Sequence, residues 1–204
     1  INATKITGRS KNGIGIAALN AITNKTNDNP LTNYNVLIID KSLDNSSSIS
    51  LMNTNMTNNT SDKDANVTGV FTRINNKKNT HVYGANLKMS QEFENNSSIL
   101  GFAGMLSASK NSGNYRYQLF SSFEDDKYNP NDLGFLYSNN EISNGLNIRY
   151  QQINENKSFI RSSHTIKVRH ETLFTDNKFV NLEFEAESDM MLKNYLFINV
   201  RMGA

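Results

Sequence analysis

The sequence predicts an all-β fold, an antiparallel transmembrane β-barrel with about twelve strands in this chain. Three observations lead there. Apolar and polar residues alternate with a period of two through most of the 204 residues. No stretch has the 3.6-residue period of an amphipathic helix, and no run of about 18 apolar residues forms a membrane-spanning helix. The alternating segments run to roughly 8–12 residues, the length a tilted strand needs to cross a bilayer, whereas soluble strands average about 5–6.

The alternation is clearest late in the chain. Leu182, Phe184 and Ala186 oppose Asn181, Glu183, Glu185 and Glu187. Ile160, Ile166 and Val168 alternate with Arg161, Ser163, Thr165, Lys167 and Arg169, and Leu196, Ile198, Val200 and Met202 oppose Asn199 and Arg201. A strand sorts such residues onto two faces, whereas a helix scatters them around its circumference. Carried along the chain and punctuated by turn residues, the pattern places strands at 2–10, 14–24, 33–41, 47–56, 65–75, 79–90, 97–109, 114–124, 144–154, 158–171, 178–188 and 193–203.

The links are expected to alternate in length. Lys11-Asn12-Gly13, Asp44-Asn45-Ser46, 75–78, 110–113 and 155–157 are tight and polar, as in hairpins. Between them come longer links at 25–31, 57–64, 91–96 and 125–140, while those near Asp176 and Met190 are less distinct. Short turns on one rim and long loops on the other are an outer-membrane barrel's pattern. If the short turns are periplasmic, the first strand starts on the external side. That reads 1–204 as a single β-barrel region, a fragment of a longer polypeptide and part of a larger barrel.

Composition narrows the functional classes. Hydrophobic residues are 37%, and there is no Cys or Trp. About one residue in six is Asn, much of it in turn-like clusters. A net charge of +2, with no basic run interleaved with aromatics, argues against nucleic acid. Thiol catalysis and disulfides are excluded.

On the lipid side the alternation puts Ile14, Ile16, Ala18 and Ile22; Leu100, Phe102 and Leu106; and Tyr115, Tyr117, Leu119 and Phe123, with rings suited to an interfacial girdle. The expected lumen-lining residues are Arg149, Arg161, Lys167, Arg169, Glu183, Glu185, Glu187 and Arg201. Lys167 and Arg169 precede the strand of three glutamates, so opposite charges can face one another across an antiparallel pair. Gly15, Gly69, Gly84, Gly101 and Gly104 fall inside strands, where a barrel uses glycine for curvature or for close approach of a plug or loop.

The richest loop is Asp125-Asp126-Lys127-Tyr128-Asn129-Pro130-Asn131-Asp132-Leu133-Gly134. Asp125, Asp126, Asn129, Asn131 and Asp132 are its candidate site residues. Their oxygens are of the kind that ligates Ca²⁺, but the spacing lacks the Gly and Glu of a calcium loop. A structured loop folded into the lumen is the expectation, and no metal or other cofactor is assigned. His81, His164 and His170 lack ligand spacing. Glu183 and Glu185 stand about 7 Å apart on one strand face, superficially a glycosidase pair, but nothing marks a cleft, and no catalytic residue or enzymatic activity is expected.

Lys5-Ile6-Thr7-Gly8-Arg9, Asn12-Gly13-Ile14-Gly15-Ile16 and Leu19-Asn20-Ala21-Ile22-Thr23 resemble the barrel region of the DUF5916 proteins of Bacteroidota. The resemblance continues through Pro30 to Leu37, Asp64 to Gly69 and Tyr128 to Leu136. It covers most of the first two thirds; the last third matches by pattern alone. It implies an outer-membrane barrel that follows a carbohydrate-binding module similar to family 9, which is not in this chain. The expected function is an outer-membrane β-barrel, porin-like or a structural subunit of an outer-membrane complex, with a soluble all-β carbohydrate-binding module as the alternative. Outer-membrane lipid, other outer-membrane or periplasmic proteins and glycans are the expected partners.

Overall fold

A computed structural model describes residues 2–24, 31–58, 63–94 and 97–204. Twelve strands form one sheet: β1 (Asn2–Arg9), β2 (Ile14–Ile22), β3 (Thr32–Leu43), β4 (Ser47–Asn58), β5 (Lys63–Asn75), β6 (His81–Glu94), β7 (Ser97–Lys110), β8 (Tyr115–Glu124), β9 (Glu141–Gln152), β10 (Phe159–Leu173), β11 (Phe179–Leu192) and β12 (Phe197–Gly203). Spatial order follows chain order, and every neighbouring pair is antiparallel. Each of the twelve expected strands is present. No helix occurs among the described residues. Among the described residues β1 and β12 have no partner on their outer sides, so the sheet they form is not closed.

The hairpins follow from local chemistry. At 44–47 the Ser47 N–H donates to Asp44 O at 3.1 Å. Both central residues, Asn45 and Ser46, have φ near +57° (56° and 58°), as a type I′ turn requires. Gly13 and Gly113 supply the positive φ of two further turns.

The expected alternation of link lengths holds only in part. β6 runs on to Glu94 and β7 begins at Ser97, so the proposed 91–96 loop is mostly strand; its residues 95 and 96 lie outside the described residues. The 57–64 link shrinks likewise, because β4 reaches Asn58 and β5 starts at Lys63. Residues 25–30 also lie outside the described residues. The last turn falls at 193–196, after β11 has continued to Leu192. At 57–64 and 91–96 mostly polar residues prolong the ladder, whose backbone hydrogen bonds do not depend on side-chain polarity. Only 125–140 remains a long loop that is described throughout.

Register gives the sheet its two faces. Residues paired across strands share a face, so one row runs Ile16, Ile39, Leu51, Val70, Leu87, Gly104, Phe123 and Ile142 from β2 to β9. Leu87 is 56% exposed and Leu106 65%. Ile39, Val70, Leu119, Ile148, Ile166, Leu182 and Val200 are exposed on that same side. The expected lipid-facing sets on β2 and β8, and Leu100, Phe102 and Leu106 of β7, all belong to it.

Perpendicular rows also drift along the strands. A row leaving β1 at Gly8, one residue from that strand's end by the short turns, reaches β10 at Thr172, beside the opposite rim. The stagger is about one residue per strand, the ratio that tilts barrel strands by about 36°.

Candidate functional site

The second face carries the candidate site. All eight charged residues expected on one side do share it, on β9–β12. One row runs Arg116, Arg149, Thr165, Glu187 and Arg201; the next holds Lys167 opposite Glu185; the next, Arg169 opposite Glu183. The Lys167 ammonium lies 2.9 Å from Glu185, and Arg201 lies 2.7 Å from Glu187. Arg149 Nε donates to Thr165 Oγ1 at 3.1 Å. An open cavity of about 240 Å³ is lined by Lys167, Arg169, Glu183 and Glu185 together with the apolar Phe120, Leu146 and Val168.

Two details depart from the expected pairing. Arg169 faces Glu183 in register, yet its guanidinium turns to Glu171 at 2.6 Å and Glu141 at 3.5 Å, while its Nε donates to Ser143 Oγ at 2.9 Å. Glu183 instead accepts from Asn181 Nδ2 at 3.2 Å. Arg161 stands apart from this network, paired in register with Met191. Sequence reading missed Glu141, Glu171 and Asp189 as members of the charged face. Glu171 has the parity of Lys167 and Arg169, so alternation alone reaches it. Glu141 needs the β9–β10 register.

The 125–140 loop folds back over the same face, across β4–β7. Tyr128 is only 3% exposed, and the Lys88 ammonium sits 5.2 Å from its ring centroid. Burial, then the charge of Glu124, raises the Tyr128 hydroxyl above its ordinary pKa. Asn129 N donates to the buried Ser90 Oγ at 3.0 Å, and its side-chain amide donates to Glu92. Asp132 lies 3.5 Å from Lys63. Under the loop, Gly101 lets backbone meet backbone: a Cβ there would fall 2.3 Å from Lys127 C and Tyr128 N.

The loop's polar side chains mostly hold the loop itself. Asp125 accepts from Phe102 N at 2.8 Å and Lys127 N at 3.0 Å. Asn129 Oδ1 accepts from Asn131 N, and Asn131 Oδ1 from Leu136 N. Asp126 contributes its carbonyl oxygen to Asn139. Among the described residues no three His, Asp or Glu side chains converge to hold a metal ion. Tyr128, which anchors the loop, was not among the expected site residues; an aromatic ring between Lys127 and Asn129 in so polar a segment is the signal that marks it.

The family model described as "Domain of unknown function (DUF5916)" matches residues 1–204. The chain belongs to that family. No curated protein and no solved structure matches it. Membership in DUF5916 agrees with the resemblance in the first two thirds of the chain, and extends it over the last third, where the charged face lies.

Proposed function

We propose that this DUF5916 chain is the wall of an outer-membrane β-barrel. Its apolar face meets lipid, and its charged face lines a water-filled interior narrowed by the 125–140 loop. The observation that carries this reading is the sorting of side chains. Exposed aliphatic and aromatic residues predominate on one face, from Ile6 of β1 to Val200 of β12, while ion pairs and a folded-back loop occupy the other. In water so large an apolar surface is costly, and soluble proteins rarely leave a contiguous patch beyond a few hundred Å². In lipid it is the stable arrangement.

Two further features support it. The strands have 7 to 15 residues. The rings on the apolar face also gather toward two levels. Tyr83, Tyr117, Tyr115 and Tyr150 lie near the short turns, with Tyr115 and Tyr150 at 4.8 Å; Phe93, Phe123 and Phe174 lie near the other rim. From Tyr83 to Phe93 is roughly 34 Å along β6. A tilt of about 36° projects that onto roughly 27 Å, close to the height of a barrel's apolar band. β1 and β12 run in opposite directions, so they can close the cylinder directly or through further strands; an open edge in lipid would strand unpaired backbone groups. The interior suits passage of small polar solutes or docking of an outer-membrane or periplasmic partner.

Migration on a gel after detergent extraction tests the reading. The unheated protein is expected to run ahead of the boiled one, because a closed barrel resists detergent until heated. A protein that extracts without detergent and runs alike in both states would instead be a soluble β-module, such as a glycan binder.

A further inference from the structure

We infer that the amide patch on β2–β5 is covered not by lipid but by the same patch of a second copy of this chain. The inference rests on the barrel reading above. It starts from a break in the apolar face. On β7 two successive rows end in Phe102 and Leu100, but followed back to β4 they become Asn53 and Asn55. The first row passes Met89 and Thr68, the second Gln91 and Asn66. On β3 and β2 the second row continues through Asn35 to Asn20. The face that elsewhere carries Ile, Leu and Phe thus carries a patch of amides.

The patch reaches away from the rim. Asn33 and Asn35 are the second and fourth residues of the 12-residue β3, but Asn53 is the seventh of the 12-residue β4 and Thr68 the sixth of the 13-residue β5, so these two lie at mid-strand. A barrel centred in the bilayer holds them in the hydrocarbon layer, where water cannot satisfy an amide. Internal bonding meets part of this demand. Asn20 Nδ2 donates to Asn33 Oδ1 at 2.6 Å and Asn35 Oδ1 at 2.8 Å; Asn53 Nδ2 donates to Thr68 Oγ1 at 2.8 Å and Asn66 Oδ1 at 3.1 Å. Asn33 and Asn35 accept in these bonds, but their own amide N–H groups donate to no described residue.

Chemistry selects the occupant. A carboxamide both donates and accepts, so a surface of them complements itself across a two-fold axis, where the same patch meets its copy. The amide rows carry no charge, so two copies meet there without repulsion between like charges. Interhelical amide bonds in membranes work on the same principle. An axis normal to the membrane near β3 and β4 would bring Asn55 of one copy close to Asn55 of the other.

Residues 1–204 contain no cysteine, so a single replacement places one reporter thiol on this face. Asn35→Cys, Asn55→Cys and Leu119→Cys, the last on the apolar face of β8, are oxidised with copper–phenanthroline in intact membranes. The expected result is a band of doubled mass from Asn35→Cys and Asn55→Cys and none from Leu119→Cys. Adding Asn53→Leu and Asn66→Leu to Asn35→Cys should lower the yield by about tenfold, the effect of losing one or two membrane hydrogen bonds. No doubled band from either Asn variant, equal bands from all three, or a band joined to a different protein overturns the inference. Heat-modifiable migration of the same samples reports separately on the barrel, so a monomeric barrel and a failed barrel give different results.

Discussion

At the residue scale, the decisive positions are those where a side chain would obstruct rather than contribute. Alternation leaves Gly101 two uses, strand curvature or the close approach of a loop. The structure supplies the reason, since the loop backbone at Lys127 and Tyr128 occupies the space of its absent Cβ. Gly145 is different: the ring of Phe120, its register partner, covers it from the neighbouring strand. Gly101→Val should therefore lift the 125–140 loop and expose Tyr128, at a cost of about 1–3 kcal/mol typical of overpacking. Limited proteolysis is expected to cut the variant within 125–140 well before wild type, with strand content by circular dichroism unchanged. Equal cleavage of the two proteins would mean that the loop is not held there. That the loop is structured was readable from its Asp, Asn and Pro content. Which strands it covers was not, because a long loop's landing place depends on contacts distant in sequence.

At the element scale, the strands were legible because side-chain parity is local. Leu182, Phe184 and Ala186 against three glutamates needs no tertiary information. Strand ends were harder. β11 continues through Ser188, Asp189, Met190, Met191 and Leu192, where alternation fades but pairing with β10 persists. Ion-pair partners were legible only as far as register could be guessed, so Lys167 and Glu185 pair as expected while Arg169 turns to Glu171 and Glu141. Each exposed pair contributes at most about 1 kcal/mol, so these charges matter less for folding than for the electric field over this face. Changing Glu183, Glu185 and Glu187 together to Lys should leave the strand pairing intact and shift ion selectivity toward anions. Reversal potentials across planar bilayers under a salt gradient measure this. An unchanged reversal potential would remove the β11 carboxylates from any conducting path.

For the whole molecule, the stagger links sequence to architecture. Twelve strands in chain order describe either an open meander or a barrel wall, and the strand list alone does not distinguish them. A row crossing from one rim at Gly8 to the other at Thr172 adds that the strands lean steadily in one direction, which a closed cylinder requires and an open meander does not. This could not be read beforehand, since it accumulates from strand ends that were each placed only to within a few residues. About one residue of drift per strand fixes a tilt of about 36° through the ratio of residue rise to strand spacing. The tilt is measurable without knowing what the protein carries. Polarised infrared spectra of the amide I band from oriented bilayers should place the strands about 35–45° from the membrane normal. A sheet lying flat on the bilayer would put its strands near the membrane plane, and a soluble sheet trapped between layers would show no preferred angle. Either result would separate the observed stagger from a membrane-spanning cylinder.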